Sequence, residues 1–419
     1  MNDQSPTSGS SDGTETVALR RVIGLPLLVL YGLGITIGAG IYVLIGAAAQ
    51  QAGQYAPAAF LFAAVVMCFS ALSFAELSGR IPQSAGEAVY VDAGFGINWL
   101  TLLTGLLILT AATVAGAAIA IGCAGYVAEL LPLPKPLLVA AIVLLMGGIA
   151  IQGVRESVLF AGVLTVVEIL GLLVIVAAGL WQDPAMVAQV PATIPPLSDT
   201  AALTGVFGAS LIAFFAFIGF DDVVNMVEET RDPARTMPWA IIISLVAVTV
   251  IYFLVVFVAV QSVPVDDLAG SDAPIGLLFR ELTGMSPWGI TLVAIVATIN
   301  GVLIEIIMAA RVIYGLARKG RLPAYFSIVS RRSQVPANAT VLITLVMLGL
   351  ALFVPLDALV ELTSQMILIA FTLVNLALVR IKLRADPAPE GIFLVPLWCP
   401  VVGVLTSLLL LFGPLIWQV

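Results

Sequence analysis

Histidine is absent from all 419 residues, cysteine occurs only 3 times, and Asp, Glu, Lys and Arg together supply 10% of the chain. Without imidazole no proton relay can use it, which leaves carboxylates as the groups able to carry a proton. Cys68, Cys123 and Cys399 lie within apolar stretches, are odd in number and lack ligand spacing. They read as buried free thiols, and neither a metal site nor a bound cofactor is expected. So little charge excludes a soluble domain of ordinary composition. With a formal net charge of -8, no nucleic-acid partner is expected either.

What is present is apolar: 61% of the residues are hydrophobic. Runs of about 20 such residues, the length that crosses roughly 30 Å of hydrocarbon, recur from Ile23 to the C-terminus. Eleven can be counted, so the lipid bilayer is the expected solvent and an all-α polytopic membrane protein the expected class. Alternate loops and the N-terminal flank hold Arg20, Arg21, Arg80, Arg155, Arg231, Arg235, Arg318, Lys319, Arg321, Arg331, Arg332, Arg380, Lys382 and Arg384, against Lys135 and Arg280 on the other side. The positive-inside rule puts the N-terminus and these loops in the cytoplasm of a bacterial inner membrane, and the C-terminus in the periplasm. Met1 to Thr16 are rich in Ser, Thr, Gly and Asp, so residues 1–22 are expected to form a disordered cytoplasmic tail. No cleaved signal peptide is expected, because the start lacks a basic n-region.

The first and sixth segments share a break of small residues, Gly38-Ala39-Gly40 in one and Ile218-Gly219-Phe220 in the other. A lone glycine in a membrane helix ordinarily permits close packing. Two breaks five segments apart instead predict an inverted repeat, because an odd number of crossings per half reverses the second half. The expected division is 23–180 for segments one to five and 203–380 for six to ten, with an eleventh helix at 393–416 outside that core. Discontinuous helices at the interface of two repeats are the arrangement of secondary transporters.

Four stretches carry a family likeness: Gly34-Ile35-Thr36-Ile37-Gly38-Ala39-Gly40-Ile41-Tyr42, Phe214-Phe215-Ala216-Phe217-Ile218-Gly219-Phe220-Asp221, Glu228-Glu229-Thr230-Arg231-Asp232-Pro233, and Arg311 through Pro323. In order and over nearly the whole chain, they make it resemble the amino acid-polyamine-organocation permeases, especially the cationic-amino-acid branch and its bacterial relatives. The resemblance implies a 5+5 inverted-repeat core with helices one and six broken, and transport of an amino acid or amine. It also implies a rocking of segments one, two, six and seven against three, four, five, eight and nine. Family members commonly have twelve or more crossings, so the shorter end of this chain leaves the oligomeric state open.

A zwitterion at mid-membrane needs partners for a carboxylate and an ammonium. Amides at Gly38, Ala39 and Gly40 open a half-helix whose positive end suits the carboxylate, and glycine lets the ligand reach the backbone. By resemblance, the carbonyls of Thr36, Phe215 and Ile218, beside Gly219, face the ammonium, and Phe215 covers the site; packing in the core is the competing role for Phe215. An ionised carboxylate in such a segment costs at least about 2.5 kcal/mol unless paired or hydrated, which singles out Glu168 and Glu305. Glu168 stands where proton-coupled relatives often carry a lysine in place of a sodium ion. With the sign reversed, it is expected to bind a proton or an ion itself, or to be a neutral structural acid. Glu305 stands where the family lines the pocket, favouring a cationic cargo if ionised and a neutral one if protonated. Asp221 matches a family acid tied to gating, with Asp222 beside it and one of the pair expected to face water. Glu76, Arg80, Glu228, Glu229 and Arg231 are expected to be solvated loop charges. An enzyme would need a nucleophile or metal constellation, and none is present. A membrane sensor would need an output domain. Proton-driven import is the expected activity, with exchange of a cationic amino acid or polyamine as the alternative.

Overall fold

A computed structural model describes residues 21–38, 40–83, 86–152, 158–318, 320–330, 333 and 335–416. Ala39 and the tail through residue 20 lie outside the described residues, as do Arg155, Lys319, Arg331 and Arg332. Fifteen α-helices are built: α1 (Leu25–Ile37), α2 (Gly40–Ala52), α3 (Ala56–Arg80), α4 (Gly86–Phe95), α5 (Asn98–Leu130), α6 (Lys135–Gln152), α7 (Val158–Gln182), α8 (Thr200–Phe217), α9 (Pro233–Ser262), α10 (Val265–Gly270), α11 (Pro274–Thr283), α12 (Trp288–Arg318), α13 (Ala337–Phe353), α14 (Leu356–Leu383) and α15 (Trp398–Ile416). Among the described residues, eight helical runs are long and apolar enough to cross a membrane, and α1, α13 and the last helix are shorter apolar pieces. The first crossing is α1 followed by α2, and the sixth is α8 continued by a 3₁₀ helix over Asp221–Glu229.

Packing repeats with a period of five crossings. The pair α1 and α7 has its counterpart in α8 and α14, α1 with α9 in α8 with α3, and α5 with α14 in α12 with α7. The related elements α2 and α8, α3 and α9, and α5 and α12 also touch one another, as partners across a pseudo-two-fold axis must. Even the short helix α4, packed on α14, is matched by α11, packed on α7. The chain therefore has the 5+5 inverted-repeat fold with helices one and six broken, and α15 packs outside it on α14, α3 and α8. With no water to satisfy the backbone, each crossing is helical, and departures from helix occur where protein surrounds them.

The charges at the end of α3 differ from the solvated loop pair expected of Glu76 and Arg80. Glu76 is fully buried. Its carboxylate accepts from Arg80 Nε at 2.8 Å, Lys382 Nζ at 2.7 Å and the Val395 amide at 2.7 Å. Lys382 and Val395 are more than 300 residues away in the chain, so the ion cluster joins α3, α14 and the approach to α15 through contacts that local sequence does not reveal. Glu76→Ala would leave two largely buried cations without a counter-ion, a loss of about 3–5 kcal/mol. Thermal unfolding of the purified protein should show it as the least stable of the variants considered below.

Candidate functional site

The two breaks lie against each other. A β-carbon on Gly40 would be 2.3 Å from the Cα of Ala216, and one on Gly219 would be 2.8 Å from Ile35 Cγ2 and 3.1 Å from the Thr36 Cα. Residues 36 and 40 of the first crossing thus meet 219 and 216 of the sixth, and Gly205 abuts Gln51 further along, so the crossings run antiparallel. Gly219 also has φ +129, a backbone state open to glycine. At the other end, Val22 and Ile23 donate to the Glu229 carbonyl, and Arg231 donates to that of Ile23.

Broken helices expose carbonyls, and three of them here find donors. Tyr252 of α9, wholly buried, donates its single hydroxyl proton between the Thr36 carbonyl at 2.7 Å and the Ala216 carbonyl at 3.0 Å. The Phe215 carbonyl accepts from the Ile218 amide at 3.1 Å, and the Gly219 amide donates to Asp221 Oδ1 at 2.8 Å. A carbonyl has two lone pairs, so Thr36 and Phe215 keep acceptor capacity. Gly38 remains helical, its amide bonded to Gly34. Phe214 packs on Phe371, and Phe217 on Tyr252 and Phe60. Phe215 is buried and makes no ring contact among the described residues.

The structure brings three acids together. Asp221, Asp222 and Glu305 line a cavity of about 40 Å³ with Ile108, Ala115, Ile218 and Thr363, enough for a water or two. Asp221 is 5% exposed, and Asp222 is the more exposed of the adjacent pair. A larger cavity of about 490 Å³ begins where the first ends, sharing Ile108, Met308 and Val312, and reaches Glu87, Asn225, Glu229, Arg311 and Arg321 at the arginine-rich end of the bundle. The opposite end is closed: the Ile275 amide donates to Tyr126, whose hydroxyl donates to the Tyr42 carbonyl, and Lys135 pairs with Asp272. The larger cavity thus reaches the arginine-rich end, whereas polar contacts tie α2, α5, α6 and α11 together at the other.

Sequence reasoning missed Glu87 and Tyr252. Glu87, on α4 between the second and third crossings, hydrogen-bonds the Asp221 carboxyl. Burial, and then the Asp221 charge, hold it well above the ordinary carboxylate range, as two acids sharing one hydrogen bond require a proton between them. Its only signal was a carboxylate next to a glycine in a loop-like stretch. Tyr252 was legible only as a hydroxyl in an apolar run that must find an acceptor.

Glu168 stands apart from that cluster, on α7. It is 4% exposed, its Oε2 has no hydrogen-bond partner among the described residues, and its backbone carbonyl accepts from Tyr42 at 3.3 Å. One turn earlier Thr165 presses on Gly34, where a β-carbon would come within 2.1 Å of its hydroxyl. Glu168 therefore sits against the first broken helix, within electrostatic reach of Tyr42 and Tyr252. Among the described residues no three acids or thiols converge as metal ligands.

Residues 23–418 match the family described as amino acid permease. The chain is 31% identical over 395 residues to cationic amino acid transporter 3, mitochondrial, of Arabidopsis thaliana, covering 88% of this chain and 63% of that protein. It thus spans about three fifths of the length of its plant relatives. Identity to the branched-chain amino acid permease BcaP of Bacillus subtilis (strain 168) is 29%, covering 94% of this chain and 87% of that one. The methylthioribose transporter of the same organism is 28% identical, over 96% and 89% of the two chains. Among solved structures, the Eremococcus coleocola manganese transporter superimposes with a TM-score of 0.65 at 16% identity, over 96% of this chain and 90% of that one. That likeness concerns the fold.

Proposed function

Because the chain belongs to the amino acid permease family, within the amino acid-polyamine-organocation superfamily, we propose that it imports an amino acid across a bacterial inner membrane by alternating access, driven by protons. The observation that carries this reading is the pair of apposed helix breaks bordered by Asp221, Asp222 and Glu305, with a water-sized cavity leading into a wide vestibule at one end. In this reading the arginine-rich end is cytoplasmic, as the charge asymmetry favours, and the C-terminus is periplasmic. The repeats are residues 23–180 and 203–380, and 393–416 is the added helix. The cargo carboxylate meets the backbone where the second half-helix opens, at Ala39 and Gly40, and not at Gly38, whose amide is already bonded to the Gly34 carbonyl. Its ammonium meets the carbonyls of Thr36, Phe215 and Ile218 beside Gly219, on the lone pairs that Tyr252 and the Ile218 amide leave free. Glu168 takes up the driving proton, and Asp221 gates.

One observation favours a second reading, exchange of a cationic amino acid or polyamine. Among the described residues the inner cavity is lined by three carboxylates and no Lys or Arg, a wall that a cationic side chain would neutralise. Uptake of labelled arginine, lysine, putrescine, leucine and alanine into proteoliposomes, with and without an inward proton gradient, separates the two. Carriage of none of them would refute both. If the cargo is cationic, Glu305→Gln is expected to lose about 10–100-fold in apparent arginine affinity, as removal of a charge-assisted hydrogen bond does, while alanine uptake is unchanged. Wild-type arginine affinity in this variant would remove Glu305 from the site.

A further inference from the structure

Arg311 is the basic residue least accounted for by that reading. It is exposed and makes no ion pair or hydrogen bond among the described residues. It borders the vestibule on one side and, on the other, a separate groove of about 510 Å³ between α6, α12 and α13, walled also by Val329, Val335 and Pro336. The depth of the groove follows from helix lengths. With 31 residues, α12 is about 46 Å long, which exceeds a hydrocarbon core of about 30 Å. Part of α12 therefore stands outside the hydrocarbon, and the neighbouring helix ends indicate which part. Ala150, in the last turn of α6, and Thr340, in the first turn of α13, line the groove beside Arg311, so the guanidinium lies where those two helices meet the headgroups. The segment that follows α12 exposes Tyr325, Ile328 and Val329, at 60%, 56% and 39%, the apolar and aromatic pattern of a chain lying along a membrane interface.

A cation at headgroup depth without a partner among the described residues, walled by Ile307, Val329 and Val335 with no acid among the described lining residues, matches one chemistry. We propose that this groove binds one anionic phospholipid, its phosphate paired with Arg311 and its acyl chains laid along the apolar wall. A soluble anion would satisfy the guanidinium but not the wall, whereas a lipid satisfies both. The consequence reaches the vestibule. A phosphate that holds Arg311 on the groove side keeps its charge out of the vestibule that it also borders. Binding itself does not depend on the transport reading; the effect on rate does.

Native mass spectrometry of the purified protein exposed to phosphatidylglycerol and phosphatidylcholine tests binding alone. One phosphatidylglycerol should remain bound to the wild type in preference to phosphatidylcholine. Arg311→Gln, which removes the charge, and Val329→Trp, which fills the groove without touching the vestibule, should each weaken that retention by about ten-fold. Val335→Trp replaces Val329→Trp if the latter does not fold. Retention equal to wild type in both kinds of variant, or displacement of the lipid by inorganic phosphate, would overturn the proposal. In the second arm, transport is compared in vesicles of phosphatidylcholine alone and of phosphatidylcholine mixed with phosphatidylglycerol. The wild type should be faster in the mixture and Val329→Trp should not. Equal stimulation of both would assign the effect to bulk surface charge, against a site.

Discussion

Gly40→Ala is expected to reduce transport by about 100-fold while the protein still folds and inserts. The added carbon would come 2.3 Å from the Cα of Ala216 and 2.6 Å from its Cβ. Because the obstruction is backbone, no rotamer change relieves it, and the two half-helices must separate. Overpacking of this kind costs about 1–3 kcal/mol, which is affordable for the fold as a whole. It falls, however, on the contact that aligns the carbonyls of Thr36 and Ala216 on Tyr252. Displacements of about 1 Å in such a constellation are enough to lose about two orders of magnitude in rate. Gly349→Ala serves as the control, since its added carbon meets nothing within 4 Å. Initial uptake rates per reconstituted protein, read beside thermal unfolding, separate the two. Wild-type uptake by Gly40→Ala would mean that the close approach of the breaks is not needed for transport.

Such contacts explain why some of this protein was legible in its sequence and some was not. Each crossing announces itself, because hydrocarbon demands about 20 apolar residues and a helix to satisfy them. The breaks announce themselves because glycine is costly in a helix unless it is needed. Glu168, Glu305 and Asp221 stood out by the cost of a charge in an apolar run. What was hidden is pairing across distance: Glu76 with Lys382, Tyr252 with two carbonyls of other helices, Glu87 with Asp221. None of these partners shares a helix, and no periodicity encodes them. Glu76 and Arg80 were expected in solvated loops because a charged pair at a helix end ordinarily is solvated. The packing of α3 on α14 and the approach to α15 removes the water there.

Glu168→Gln is expected to abolish concentrative uptake while leaving exchange intact. The carboxyl is 4% exposed and its Oε2 has no hydrogen-bond partner among the described residues, and a carboxylate in an apolar crossing is costly unless it is paired or hydrated. It lies one turn from Thr165, which presses on Gly34 of α1, so in the proposed cycle loading or unloading the driving proton acts next to a helix of the moving bundle. Glutamine keeps the shape and hydrogen-bonding capacity of the neutral acid but cannot release a proton. With one proton per cargo, an inward gradient of one pH unit is worth about 1.36 kcal/mol, equivalent to about a ten-fold inside-to-outside ratio at steady state. For Glu168→Gln that ratio should fall to about one whatever the gradient. Counterflow between preloaded cargo and external label, which needs only the carrier to reorient with cargo bound, should continue at close to the wild-type rate. Persistence of the ten-fold ratio would move proton coupling away from α7, to the Glu87 and Asp221 pair. Loss of counterflow as well would make Glu168 a structural acid of the moving interface.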